Sequence, residues 1–218
     1  MRVLSQMAQG RQGSVPKTPD FLFVSGNPAL DFVNTRPLLR GQPVELLNDF
    51  AAVLRWFVAA KFLDQKAAAK VRERWANTAQ AQAFWRQLLA LREQLRRAIL
   101  SIESGGAASE RMLRTLNRLL AQHPLPAQLV FSKGILKKER RFDPRKPPDF
   151  FAPLLNAAAD LFTRFDPRRL RQCESCVLHF HDGTKNATRR WCSMKLCGNR
   201  AKAAKYVARH RLQSPRTS

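Results

Sequence analysis

Residues 173–200 read CESCVLHFHDGTKNATRRWCSMKLCGNR, and they hold every cysteine of the 218-residue chain. Cys173, Cys176, Cys192 and Cys197 follow the spacing C-x2-C-x15-C-x4-C. Thiolate sulfurs so placed suit a tetrahedral Zn2+ site, one pair from a tight turn and the other from the start of a helix. Four cysteines could instead form two disulfides, in any of three pairings. That would need an oxidising compartment, and the opening stretch MRVLSQMAQGRQGSVPKTPD has no apolar core or cleavage site for export. A thioredoxin-like redox pair is a further alternative. Cys173-Glu174-Ser175-Cys176 sits in no βαβ pattern, however, and such a pair would leave Cys192 and Cys197 idle. The expectation is one structural Zn2+ on four thiolates. His179 and His181 alternate about Phe180 as on a strand, which puts both imidazoles on one face. They are expected beside the metal rather than on it, and a closed four-sulfur site leaves no position for a catalytic water.

Charge is the second signal. The chain carries 39 Lys and Arg against 16 Asp and Glu, a net +23. Residues 164–218 hold 14 basic and 3 acidic residues, so the net is +11 over 55 residues; residues 1–163 hold 25 and 13, a net +12 over roughly three times the length. Positive charge concentrated around a small zinc module is the footprint of a polyanion binder, ahead of plain solubility or attraction to anionic lipid. No apolar run approaches the ~20 residues of a membrane span.

The rest of the chain reads as mainly α with small β elements, an α+β protein. Residues 1–19 lack periodicity and are expected to form a flexible tail. Phe21-Leu22-Phe23-Val24 predicts a short strand, ended by the turn Ser25-Gly26-Asn27-Pro28. A short helix from Ala29 to Thr35 follows, then a small strand over Pro43 to Leu47. Asp49 and Asp64 cap helices reaching about Phe62 and Asn77. The strongest helix spans residues 79–103, where Phe84, Leu88, Leu91, Leu95, Ile99 and Ile102 recur at helical spacing before Gly105-Gly106. Ser109 caps the next helix. Residues 129–136 read as a hairpin around Ser132-Lys133-Gly134. Pro147-Pro148 opens a last helix to Phe165, and Asp166-Pro167 marks the boundary between a domain over residues 20–165 and a module over 166–218.

Within that module, Val177 to His181 and Arg189 to Trp191 are expected to form a hairpin, and a helix to run from Cys197 to about Leu212. A knuckle, a hairpin and a helix that carries a ligand in its first turn make a treble-clef-like zinc finger. Arg189-Arg190-Trp191-Cys192-Ser193-Met194, then Cys197-Gly198-Asn199-Arg200, Lys202 and Tyr206, resemble the CGNR-type zinc finger, named for that last tetrad. Gly26-Asn27-Pro28-Ala29-Leu30-Asp31-Phe32-Val33-Asn34-Thr35 resembles the opening of the ABATE domain, and Leu91-Arg92-Glu93 fits a motif of that family. The resemblance runs from about residue 20 onward, and all four cysteines match its metal positions. It implies a bacterial, cytoplasmic, nucleoid-associated regulator of transcription under stress, in which a helical sensor domain is joined to a DNA-binding finger.

The leading functional expectation is therefore recognition of double-stranded DNA. Lys195, Arg200, Lys202, Lys205 and Arg209 would be presented by the finger, with Arg189 and Arg190 on its approach. Positions 202, 205 and 209 share a helical face, while Ala201, Ala204, Val207 and Ala208 would pack inward. Recognition of RNA or a ribosome with the same charge ranks second, since Phe180, Trp191 and Tyr206 are the only stacking platforms in the module. An enzyme is not expected: there is no phosphate loop, no nucleophile elbow and no open metal position. Asp31, Asn34, Thr35, Arg36 and Arg92 are polar groups in an otherwise apolar setting, and they are the candidates for a small anionic effector. A homodimer is expected from the class alone, because DNA regulators commonly bind as two-fold pairs.

Overall fold

The computed structural model describes residues 21–39, 41–140 and 142–213, with backbone alone for residue 39 and for 209–213. The expected tail over 1–19 lies outside the described residues. Most helices begin where a short polar side chain can accept an orphan amide. Asn27 accepts from Ala29 at the start of α1 (Pro28–Val33), Asp49 from Ala52 at α2 (Phe50–Ala59), and Asp64 from Ala67 at α3 (Gln65–Trp75). Thr78 does the same for α4 (Ala79–Glu103) and Ser109 for α5 (Glu110–Gln122). Each such cap stabilises its helix by about 0.5–2 kcal/mol relative to alanine. A single 3-10 turn over Pro147–Phe150 leads into α6 (Phe151–Arg164), so Pro153 falls in the first turn, where its missing N–H costs nothing. Gly105 ends α4 at φ 86°, a left-handed position that glycine occupies without a Cβ clash.

The helices bury one apolar face each. Leu30, Phe32, Trp56, Phe57, Phe84, Leu88, Leu95, Ile99 and Phe150 are all essentially inaccessible to solvent. Aromatic edges meet at the centre, with Phe57 and Phe150 4.8 Å apart and Phe84 and Phe151 5.0 Å apart, both T-shaped. α1 sits against α6 and α4, so the opening motif lies inside the bundle.

Small antiparallel pairs complete the domain. β1 (Leu38–Leu39) pairs with β2 (Gln42–Pro43), and β3 (Ala127–Ser132) with β4 (Ile135–Arg140). Lys133 (φ 50°) and Gly134 (φ 77°) close the second hairpin with two positive φ values in succession, as a type I′ turn requires.

Two expected strands are absent. Residues 21–24 form none, because the Asp31 carboxylate takes the amides of Val24 and Ser25, each at 3.1 Å, that a ladder would use. No strand runs from Pro43 to Leu47 either. The Val44 and Leu46 amides do reach the Pro37 and Thr35 carbonyls at 2.9 and 3.0 Å, in register with β1 and β2, but no bond returns, because Pro37 has no N–H and the Thr35 amide goes to the Phe32 carbonyl at 3.1 Å. A side-chain acceptor won over pairing in the first place, and missing return donors ended it in the second.

Burial pushes Asp31 up from 3.8 to about 6, against the bonds from Ser25 and Val24 that lower it. Its folded value lies above the unfolded one. Its contribution to stability is therefore complete below pH 3.8 and lost as pH rises through about 6. The difference corresponds to ~3 kcal/mol. Asp31→Asn retains the acceptor and removes the titration, so urea stabilities of wild type and variant should diverge as pH rises from 3.8 to about 6 and run parallel well above it. Parallel curves throughout would exclude Asp31 as the titrating group.

Candidate metal centre and nucleic-acid interface

A 3-10 turn over Pro167–Arg169 leads from α6 into β5 (Leu170–Gln172), and the chain then turns through the first cysteine pair. The knuckle is held by the Cys173 amide on the Leu178 carbonyl at 2.8 Å and the Val177 amide on the Cys173 carbonyl at 3.1 Å. It forces Val177 to φ 57°, strained for a β-branched residue. β6 (His179–His181) pairs with β5. The expected pairing of Val177–His181 with Arg189–Trp191 is not formed, and no strand occupies 189–191. Asp182, fully buried, gathers the Thr184 amide (2.9 Å), the Thr184 hydroxyl (2.6 Å) and the Arg189 amide (2.8 Å), folding residues 182–189 into a loop. Ser193 caps one wide turn over Met194–Gly198 that carries Cys197, and α7 (Asn199–Gln213) continues from it.

The four Sγ atoms lie within 4.8 Å of one another. Cys176 and Cys192 sulfurs are 3.5 Å apart, and those of Cys192 and Cys197 3.7 Å, so none is bonded to another. Four thiolates around Zn2+ at ~2.3 Å have tetrahedral edges of about 3.8 Å. The donor set and its spacing fit one structural zinc ion. Without a metal these sulfurs compete for protons. The hydrogen bond with Cys192 draws Cys176 down to about 5, the same contact raises Cys192, and burial raises Cys197 to about 11. Zinc resolves that conflict by replacing the protons. Neither histidine joins the cluster. His179 presents Nδ1 to the Glu103 carboxylate at 2.9 and 3.0 Å, and His181 meets the edge of Phe165 at 4.8 Å.

The basic residues divide into two sets. Arg189 lies over Phe180 at 4.6 Å and donates to the carbonyls of Trp191 and Cys192. Arg190 forks onto Glu174 and lies over Trp191. Arg200 donates to Ser175 Oγ at 3.2 Å and to Cys197 Sγ at 3.5 Å. Lys195, Lys202 and Lys205 are exposed. The Arg209 side chain lies outside the described residues. α7 does not bury the face expected of it: residues 202–208 are all exposed, Val207 at 47 %, and Ala201 alone is half-buried. Beside the cysteines an open concavity of about 900 Å3 is lined by Lys185, Asn186, Thr188, Arg190, Trp191 and Lys195 among others.

The opening-motif candidates face internal partners. Asn34 Nδ2 donates to the His179 carbonyl and its Oδ1 accepts the His179 amide, both at 2.8 Å. Arg92, 2 % exposed, grips both carboxylate oxygens of Glu45 and the Thr35 hydroxyl at 2.9 Å. Arg36 pairs with Glu93 at 3.5 Å. Thus Thr35, Arg36 and Arg92 form one network, while Asp31 and Asn34 serve two others. The His181 amide on the Ser25 carbonyl (3.0 Å) and Leu170, buried in the bundle core, complete a seam between finger and helices.

Sequence reasoning missed Glu103 and Asp182. Glu103 sits in the last turn of α4, where the helix dipole disfavours a carboxylate, and that misplacement signals a partner outside the helix. Asp182 opens an Asp-Gly-Thr run of the kind that gathers nearby amides.

Fold and site together define a helical domain carrying a four-cysteine zinc finger. Residues 26–164 match the ABATE family, described as "Putative stress-induced transcription regulator", and residues 169–210 match the CGNR zinc finger. The chain belongs to the ABATE family and ends in a CGNR zinc finger. No curated protein matches it significantly. No helix among the described residues is long and apolar enough to cross a membrane.

Proposed function

We propose that this protein regulates transcription by binding double-stranded DNA through α7, with the helical domain sensing a small effector. One observation carries the reading. α7 continues from the zinc cluster with every residue from 202 to 208 exposed, Lys202 and Lys205 among them. A helix so displayed is available to a groove, and a net +23 favours a polyanion. Lys195, Lys202, Lys205 and Arg209 are the contacts. The rim of the concavity adds Lys185. Arg189, Arg190 and Arg200 instead hold the finger in shape, so Arg200→Ala should weaken zinc retention rather than relax base preference.

Replacing Lys202, Lys205 and Arg209 together with alanine should weaken binding while leaving zinc content and helicity unchanged. Every phosphate that thereby goes unneutralised should lower the slope of log K against log salt by about 0.9. Unchanged affinity with an unchanged slope would remove α7 from the interface. Retained binding to single-stranded RNA by that variant would put the RNA reading first. The effector would act across the seam, since α1 and α4 hold β6 through Asn34 and Glu103. An anion recruited to Arg92 would have to displace Glu45. As a DNA-binding regulator the protein acts at the nucleoid and catalyses no reaction.

A further inference from the structure

The β3–β4 hairpin displays large apolar side chains to solvent: Phe131 is 75 % exposed, Leu129 67 %, Ile135 61 % and Leu136 60 %. The register places Phe131 opposite Leu136 and Leu129 opposite Lys138, so Leu129, Phe131 and Leu136 share one face. Ser132 opposite Ile135 closes the two-residue turn and is a hydrogen-bonded pair. Alternation along the ladder then turns the backbone groups of Gln128, Val130 and Ser132 toward β4. Those of Ala127, Leu129 and Phe131 face outward, and no backbone bond from another described element reaches them.

The two edges of this ribbon differ in charge. β3 reads AQLVFS and carries none; β4 reads ILKKER, with Lys137, Lys138, Glu139 and Arg140. Lysines on an edge strand deter further pairing, whereas an uncharged apolar edge invites it. In a chain of net +23, copies repel one another almost everywhere, and six uncharged residues in extended conformation offer a contact without that repulsion. The occupant that this charge pattern selects is a second copy of the chain, since the same neutral edge then serves both sides.

We propose that β3 pairs antiparallel with β3 of a second copy about a two-fold axis through Val130, giving a sheet in the order β4–β3–β3–β4. The axis sets Leu129 of one copy opposite Phe131 of the other, twice. Both residues turn their backbone groups outward, so each pair exchanges both N–H···O bonds. Leu136 flanks the apolar face on each side, and the lysine-bearing strands lie at the outer edges, far from the axis. This contact stands independently of the DNA-binding reading.

Sedimentation of the zinc-loaded full chain over a concentration series tests it. Wild type should reach the mass of two 24.9 kDa chains. Phe131→Lys puts a charge on the edge. Leu129→Pro removes one outward N–H and spares the β3–β4 ladder. Each should raise the dissociation midpoint by about ten-fold or more, with circular dichroism and zinc content unchanged. Val130→Cys should crosslink into a covalent dimer in oxidised glutathione, because the non-hydrogen-bonded pair on the axis brings Cα atoms to about 4.5 Å. Gln128→Cys, set opposite Ser132, should not. A wild type that stays monomeric overturns the proposal, as does a dimer that neither substitution weakens. Monomeric protein that cosediments with phosphatidylserine vesicles through this hairpin would make it a lipid contact instead.

Discussion

Chelating the Zn2+ is expected to unfold the finger over residues 170–213 while α1–α6 keep their helicity and a cooperative melt. The finger's buried cluster consists of Cys173, Leu178, Phe180, Cys192 and Cys197, with Leu22, Val24, Cys176 and Trp191 partly covered. Most of its fully buried members are the metal ligands themselves. Take the metal away and little apolar surface remains to offset the entropy of ordering the segment. Structural zinc typically contributes about 10–16 kcal/mol to folding. The bundle's core runs from Ala29 to Leu161, and of the finger's buried residues Leu170 alone joins it among the described residues. Far-ultraviolet circular dichroism with and without a chelator, followed by thermal melts, measures both parts. A bundle that melts together with the finger would show that the two share one cooperative unit. Zinc should also be released on acidification, because the ligands bind as thiolates and Cys197 holds its proton up to about pH 11 in the metal-free cluster.

Asn34→Ala is expected to destabilise the protein by about 2–6 kcal/mol, from two buried backbone groups at about 1–3 kcal/mol each. The substitution leaves the His179 amide and carbonyl without partners at a residue 1 % exposed. The effect falls on the seam, so the finger should loosen before the bundle does. Limited proteolysis at the Asp166–Arg169 junction and urea denaturation followed by tryptophan fluorescence would read the two effects separately. Glu103→Gln is the milder companion, since an amide can still accept from His179 Nδ1. A destabilisation under about 1 kcal/mol for Asn34→Ala would mean that water replaces the side chain and the seam is soft.

Much of this molecule could be read along the chain. The zinc ligands needed only the cysteine count and spacing, because no other residues could supply four thiolates. The helices announced themselves through caps at Asp49, Asp64 and Ser109 and through apolar steps along α4, which depend on residues a few positions apart. The β3–β4 hairpin was legible for the same reason, since Lys133-Gly134 sets its own turn.

What failed were pairings in which local and distant partners compete. Phe21–Val24 has the composition of a strand, but Asp31 takes the Val24 amide and that of Ser25 beyond it. Residues 189–191 could have paired with β6, but Asp182 folds the intervening loop and β5 supplies the partner from the other side. The alanines of α7 looked like a packing face, yet Ala204, Val207 and Ala208 are exposed. Tertiary structure alone decided that Asn34 and Glu103 join at His179, 145 and 76 residues away. A hydrogen bond between buried groups so far apart leaves no periodic trace in a sequence. It exists only once a core has brought both groups out of water, where leaving either one unpaired would cost more than ordering the pair.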